Sequence, residues 1–456
     1  MHGLLIRWPW PTVKGNDMKI FMIIMFLVAC SFISAGAAET IKTLSIDQAF
    51  DLDLEKMRDL SAARMRAVEA EARLEQASLY PNPELESDFG FDTIFANDGE
   101  RSFSAGINQP LSLSGRIGAQ KRVASADVKR TLVDLQNLER ILANDLRLSF
   151  INLLILDKQL KLQETLIQLN SELLEEIKKG IAEGLASQQD LNAVAIALQQ
   201  ALQEKEVLIA QRKSNILKIN NLLGQPPAFT FTPIGELTYA AVQDLQNYDI
   251  KKAYALRPDL KFAELDIELA EADVKLAKAL RFEDVKAGVF YTNDRLVLDS
   301  ADGQITDSDQ QIGFKITIPL PIFDRKQGLI REAYARKKRA EENVEALKLT
   351  ISQEVSDAYN RAATLSELLK TYQSGILKTS EDNVKLVEDG FRQGLVGIVD
   401  VIQSRQQYST LTSSYINALR DYYIALNDLQ ISTGTYKEPI GTIQSKENKT
   451  DAGEKK

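Results

Sequence analysis

The chain contains one block twice. Gly180-Ile-Ala-Glu-Gly184-Leu185-Ala-Ser-Gln-Gln-Asp190 returns 210 residues later as Gly390-Phe-Arg-Gln-Gly394-Leu395-Val-Gly-Ile-Val-Asp400, with both glycines, the leucine and the aspartate in register. Gly224 returns as Gly434 at the same spacing, whereas Asp59-Leu60 and Glu71-Ala72 return as Asp259-Leu260 and Glu271-Ala272 at a spacing of 200. The chain is two copies of one structural unit, and the second carries about ten extra residues between its first and second elements. Any fold for this chain must be a fold for half of it, repeated.

The start of the chain gives an address. From Met18, the favoured start, one lysine precedes a short apolar run that ends in small-residue cleavage sites at Ala35-Gly-Ala37 and Gly36-Ala-Ala38. Residues 1–38 read as a secretory signal peptide, too short for a spanning helix. Leu27-Val-Ala-Cys30 also fits the pattern before a lipid-modified cysteine, so Cys30 is either lipidated or removed. The only histidine (His2), the only cysteine (Cys30) and both tryptophans (Trp8, Trp10) lie in this leader. Without it the chain has no thiolate or imidazole, which excludes Cys–His and Ser–His nucleophiles and soft metal ligands. No enzyme activity, metal site or cofactor is expected. Cleavage leaves a chain about two charges more negative than the formal −9 of the whole, with no basic patch for nucleic acid.

Each unit reads as helix, two strands, very long helix, sharp turn, helix. Residues 45–79 are rich in Ala, Leu, Glu and Arg without Gly or Pro, and Pro81-Asn-Pro83 ends them. Leu85, Phe89 and Phe91, then Phe103, Ala105 and Ile107, alternate with Glu84, Glu86, Asp88, Ser102, Ser104 and Asn108, as half-buried strands do. The second copy repeats this with Val285, Ala287, Val289 and Tyr291, then Ile312, Phe314, Ile316 and Ile318. Proline motifs (Gln109-Pro110-Leu111 and Ile318-Pro319-Leu320-Pro321) close both pairs. Helices of some sixty residues follow, from Arg116 to Lys179 and from Arg325 to Asp389, each a rod of roughly 90 Å. Leu146, Leu153, Leu160, Ile167 and Leu174 fall seven apart, as do Val344, Ile351, Ala358, Leu365 and Tyr372, the spacing of helices packed along helices. The Gly180–Ser187 and Gly390–Gly397 turns reverse the chain into helices 188–223 and 398–433. The boundaries are thus 39–223 and 258–434 for the two repeats, 224–257 for a proline-containing equatorial linker, and 435–456 for a polar tail expected to be disordered.

Four strands with one apolar and one polar face cannot close, since the smallest filled membrane barrels need about eight. An exported chain of this kind must close its barrel by association. Two copies would give a narrow barrel; three give twelve strands, room for a polar lumen and six helical hairpins arranged as a second cylinder. The expected fold is mainly α with a shared membrane β-barrel.

These features resemble the TolC-type outer-membrane efflux family, most closely the outer-membrane subunit of cation-efflux (CzcC-like) tripartite pumps. Tyr80-Pro-Asn-Pro-Glu-Leu85, Gln109-Pro-Leu-Ser-Leu-Ser-Gly115-Arg116, Ile318-Pro-Leu-Pro-Ile-Phe-Asp324-Arg325 and the duplicated Gly-Leu turns carry the resemblance, from about Leu44 to Gly434. It implies a homotrimer in the outer membrane lipid, with a twelve-stranded barrel continuous with a helical tunnel in the periplasm. It also implies docking on a periplasmic adaptor and an inner-membrane transporter. Gly184, Leu185, Ala186 and Ser187, with Gly394, Leu395, Val396 and Gly397, match the family's adaptor-contacting tips; the alternative is an ordinary helix–helix turn. Asp190 and Asp400 match aspartates near the closed end of the tunnel, where three copies would form a cation-binding ring. The alternative for each is a helix N-cap. The chain departs from the family pattern at Gln403, where a second ring aspartate is expected. It departs again at Phe391 and Val396, in place of a tyrosine and an arginine.

The acidic stretch Asp294–Asp309 fails the calcium-loop spacing, because Gln310 stands where glutamate is needed, and it reads as a solvated outer loop. Lys121, Arg122, Lys129 and Arg130, like Arg336 to Arg339, read as solvated basic faces near the membrane-proximal helix ends. Two other functions fit less well: an exit channel for type I protein secretion, and a soluble periplasmic coiled-coil adaptor, which leaves the alternating strands unexplained.

Overall fold

The computed structural model describes residues 43–46, 48, 57–91, 99–240, 249–300, 303–437 and 443–444; the leader and Cys30 lie outside them. In chain order the elements are β1 (Thr43–Ser45), α1 (Arg58–Ala77), β2 (Glu84–Phe91), β3 (Arg101–Leu111), α2 (Arg116–Ala182) and α3 (Gln188–Leu222). After the midpoint come β4 (Thr232–Ile234), β5 (Glu236–Leu237), α4 (Ile250–Leu256), α5 (Pro258–Ala279), β6 (Val285–Ser300) and β7 (Gly303–Thr317). The second rod is α6 (Gln327–Thr371), a π-helical turn (Tyr372–Ile376) and α7 (Leu377–Arg392); α8 (Ile398–Thr433) and β8 (Ile443–Gln444) complete the order.

The four long strands form one antiparallel sheet in the order β2-β3-β6-β7, so the seam between the repeats is the β3–β6 ladder. Its register places Leu85, Ile107, Val289 and Phe314 in one row across all four strands. The adjacent row is Glu84, Asn108, Gly288 and Lys315. In these rows one face is apolar from edge to edge and the other carries acid, amide and lysine; further along, the first face also carries Asn293 and Gln310 beside Phe89 and Phe103. On the polar face Lys286 pairs with Glu84 at 2.5 Å, and the Asn108 amide donates to Glu86 at 2.6 Å. At about 3.3 Å per residue and a 40° tilt, the eleven residues of β3 rise about 28 Å, the height of a bilayer's apolar layer.

The extra residues of the second copy fall in two places. Leu85 and Val285 are 200 apart, Pro110 and Pro319 are 209 apart, and Gly184 and Gly394 are 210 apart. Nine lie in the second β-hairpin, whose strands have 16 and 15 residues against 8 and 11 in the first. The segment 294–309, expected to be a loop, is therefore mostly ladder: Asp294 faces Asp309, and Leu296 faces Asp307. The tenth lies between helix start and tip. A single insertion in an α-helix is absorbed as a π turn, and one occurs at Tyr372–Ile376, with Gly375 at φ 131°. The first copy has Thr165 at that place in an unbroken 67-residue helix.

Helices α2 and α3 pack as one antiparallel hairpin, α6/α7 and α8 as the other, with α2 also against α5 and α8. At the equator α2 is buried almost all round from Phe150 to Ile155. Above, Leu146 and Phe150 pack with Leu44, Leu60 and Phe231; below, Ile151 and Ile155 pack with Leu419, Tyr422 and Tyr423. Ser45 caps the helical residues Ile46 and Gln48, since Ser45 N donates to Gln48 Oε1 (3.0 Å) and Gln48 N to Ser45 Oγ (3.1 Å), and the helix is described again from Arg58. Thr43–Ser45 pairs in parallel with Thr232–Ile234, which drives Leu44 into the core. Segment 224–257 is more than a linker, because Phe231 stacks on Phe150 and the Asn220 amide donates to the Phe229 carbonyl. Nor is the tail wholly unstructured: Ile443–Gln444 pairs antiparallel with Glu236–Leu237, and Tyr436 is buried.

Candidate functional site

The two helical hairpins end in the same backbone device. In the first, Gly184 N donates to the Ile181 carbonyl (3.1 Å) and Leu185 N to the Gly180 carbonyl (2.7 Å). In the second, Gly394 N donates to Phe391 (2.9 Å) and Leu395 N to Gly390 (2.9 Å). This Schellman pair needs a left-handed residue, and Gly184 and Gly394 supply it at φ 74° and 72°. Gly180 and Gly390 serve a different purpose, since a Cβ at Gly180 would stand 3.1 Å from the Ala186 Cβ. Their role is close approach of the returning strand of the turn. The outcome is that Leu185 and Leu395 point outward, 80% and 74% exposed, while Ala186 and Val396 turn inward.

The next helices start differently. Asp190 N donates to Ser187 Oγ (3.1 Å), and Ser187 N and Oγ both donate to Asp190 Oδ2 (2.9 and 2.6 Å), a full capping box. The hydroxyl and then the backbone of Ser187 hold the Asp190 carboxyl below the usual aspartate range. Gly397 has no side chain, so Asp400 Oδ2 only accepts from Gly397 N (2.9 Å), and the carboxylate stays exposed. Gln403 is exposed one turn further along α8. Both aspartates cap helices; Asp400 also keeps a solvated charge.

Behind the tips the two hairpins meet. Leu173, Ile177 and Val194 of the first pack against Ile398 and Val401 of the second, with Phe391 at the rim. A polar tie lies deeper. Arg405, 7% exposed, donates from its Nε and a terminal nitrogen to Glu388 Oε1 (2.8 and 2.6 Å) and from the other to the Leu169 carbonyl (2.8 Å) and Asn170 Oδ1 (3.2 Å). It therefore bonds α7, α8 and α2 at once. Sequence reading missed this residue, although the signal was there: Arg405 is the sole charged side chain between Asp400 and Arg420.

No group of three or more His, Cys, Asp or Glu among the described residues could hold a metal ion, and no described helix is long and apolar enough to cross a membrane. The family model described as outer membrane efflux protein matches residues 51–225 and 250–435, in two segments that correspond to the two halves described above. The chain belongs to the outer membrane efflux protein family. It is 21% identical over 410 residues to the cobalt-zinc-cadmium resistance protein CzcC of Cupriavidus metallidurans, covering 87% of this chain and 91% of that protein. The outer-membrane protein VceC of Vibrio cholerae shares the fold at a TM-score of 0.68 and 16% identity, over 85% of this chain and 96% of that one. CusC, described in terms of transmembrane channel formation, does so at 0.68 and 17%, over 85% and 92%. The membership accounts for the sheet, because a family of outer-membrane proteins gives its apolar face a lipid phase to meet.

Proposed function

We propose that three copies of this chain close a twelve-stranded barrel in the outer membrane of a Gram-negative cell and continue it as a helical tunnel in the periplasm. In this reading the assembly is the exit duct of a tripartite efflux pump. The observation that carries it is the row Leu85, Ile107, Val289 and Phe314, which is 79%, 59%, 48% and 83% exposed in a single chain. Such a row is costly in water at roughly 25 cal/mol per Å² and is stable against lipid tails. The sheet has two free edges among the described residues, β2 and β7, and neighbouring copies satisfy them. The polar face then lines an aqueous passage.

Leu185 and Leu395 with their flanking turn residues form the surface that an adaptor's helices meet, and the adaptor links the duct to an inner-membrane transporter. Asp190 and Asp400 stand at the narrow end, where threefold repetition of Asp400 attracts cations. Small solutes, metal cations among them, are the cargo; the name of the Cupriavidus relative supports the metal class. The decisive experiment is recovery of the expressed protein from outer membranes, with native mass spectrometry in detergent and conductance in planar bilayers. A trimer that conducts supports the duct, and a detergent-free soluble monomer ends it. A deletion strain sensitive to cobalt, zinc or cadmium supports the cargo; a defect confined to a secreted polypeptide points to the secretion channel instead.

A further inference from the structure

The apolar face of the sheet does not stop at the strand ends. It runs into Leu113, Ile318, Leu320, Ile322 and Phe323, the last 90% exposed, and into Phe282 between α5 and β6. Around this rim stand five exposed cations on three helix ends: Lys121 and Arg122 in the second turn of α2, Arg281 after α5, Arg325 before α6 and Arg331 in its second turn. None has a carboxylate within 4 Å among the described residues, whereas Lys129 and Arg130, two turns deeper on α2, pair with Glu268 and Asp266. Arg281 lies 5.4 Å from the Phe282 ring centroid, and Arg325 is steadied by a bond to the Ile322 carbonyl (3.2 Å). The opposite end of the sheet is acidic, with Asp294, Asp307 and Asp309. The basic stretches read from sequence as solvated are thus divided: Lys121 and Arg122 beside the apolar rim have no ion pair among the described residues, whereas Lys129, Arg130, Arg336, Lys337 and Lys338 are paired.

We infer that this rim is a binding collar for anionic phospholipid headgroups of the membrane leaflet facing the helices. The inference rests on the reading of the sheet as membrane-embedded. Its heights fit: Arg331 and Lys121 lie about 6–8 Å below their helix starts, and a headgroup layer is about 5–7 Å thick. Aromatic rings at such a boundary and cations just beyond it are the side chains that headgroup level favours. A phosphodiester satisfies the unpaired guanidinium groups, with two parallel hydrogen bonds available to each arginine. The collar works against a net charge of −9 for the whole chain, so the attraction is local.

The test uses the full-length protein in vesicles of phosphatidylethanolamine alone or mixed equally with phosphatidylglycerol, and native mass spectrometry to count retained lipids. The wild type should retain phosphatidylglycerol preferentially. A variant carrying Lys121→Gln, Arg122→Gln, Arg281→Gln, Arg325→Gln and Arg331→Gln should lose that preference, by about fivefold for each cation near the surface. Lys129→Gln with Arg130→Gln should keep it. Equal retention of phosphatidylglycerol by wild type and the five-site variant overturns the collar. If the five-site variant keeps its lipid but loses its oligomer, the cations serve a subunit contact and the collar is wrong. A wild type that enters no vesicle refutes the membrane reading itself, a separate failure.

Discussion

Glu388 of α7 and Arg405 of α8 are joined by two hydrogen bonds to one carboxylate oxygen, and the same guanidinium reaches across to Asn170 of the other hairpin. Removing Arg405 leaves Glu388, Asn170 and the Leu169 carbonyl without their shared donor. Full burial makes such a loss cost about 3–5 kcal/mol, and the partial exposure of Glu388 reduces it to about 1–3. Arg405→Met is expected to raise hydrogen exchange across α7 and increase the conductance of the closed duct, with the β-hairpins unaffected. Protection of α7 equal to wild type would show that the apolar cluster around Val401 holds the tips unaided.

Leu185 and Leu395 are outward-facing, so changing them should not touch stability. Leu185→Asp with Leu395→Asp is expected to shift thermal unfolding by less than about 0.5 kcal/mol while abolishing pump-dependent export. Gly394→Pro should also abolish export, here by breaking the turn, since proline can supply neither the φ of 72° nor the N–H that donates to Phe391. Normal metal or drug tolerance in cells carrying the double variant removes the tips from adaptor docking.

Asp400 has two separable parts to play. Asn at 400 keeps an oxygen for Gly397 N and deletes the charge; Ala deletes both. If the residue lines a cation-binding ring, Asp400→Asn and Asp400→Ala relieve divalent block of single-channel current alike, and Ala alone loses about 1 kcal/mol of helix stability. Block that is intact in the Asn variant restricts Asp400 to capping.

The β3–β6 seam depends on glycine. A Cβ at Gly106 would lie 2.9 Å from the Val289 carbonyl oxygen and 2.9 Å from the Phe290 Cβ, and one at Gly288 would lie 2.7 Å from the Ile107 carbonyl. Gly106→Val should therefore lower the temperature at which the assembly loses heat resistance on gels, an overpacking cost of about 1–3 kcal/mol. Gly118→Ala, where nothing lies within 4 Å, should be neutral or slightly stabilising. Equal melting of Gly106→Val and wild type would mean that the two repeats are not held by this ladder.

Arg257, 3% exposed, donates to Asp259 (3.0 Å) and Glu354 (2.5 Å) and so ties α4, α5 and α6 together. Burial acts to raise the Asp259 carboxyl, but the bonded Arg257 and nearby Arg140 outweigh it and hold it below the ordinary aspartate range. A depressed carboxylate contributes stability that is complete above about pH 4, its unfolded value, and disappears as pH falls through the folded one. Unfolding scans should show the gap between wild type and Asp259→Asn constant from pH 7 to about 5 and closing below about 4. A gap that grows on acidification would contradict the ion pair.

Period-two alternation and the repeated Gly-Leu turns were readable because each is a local rule with one solution. Phe89 and Phe103 could be placed on one face before any partner strand was known, and they lie 5.0 Å apart. The heptads were readable only in part. Leu146 and Leu153 are buried, but beyond the equator the buried stripe shifts to Gln163, Leu166, Asn170, Leu173 and Ile177. There α2 exchanges its neighbours, and a helix of period 3.6 cannot keep one seam toward both sets. Contacts remote in sequence left no local mark: β1 with β4, Ile443 with Leu237, and Arg405 with Leu169. For the candidate site, the turns were legible from glycine spacing, whereas the buried tie behind them needed the fold.

The π turn at Gly375 gives the two rods unequal mechanics. The first rod is an uninterrupted mast, and the second has a knuckle about 29 Å from Gly394. A flexion of about 10° there would sweep the far end through about 5 Å, comparable to one helical turn. One inserted amino acid has thus given two otherwise matching struts different backbones, one continuous and the other jointed at Gly375.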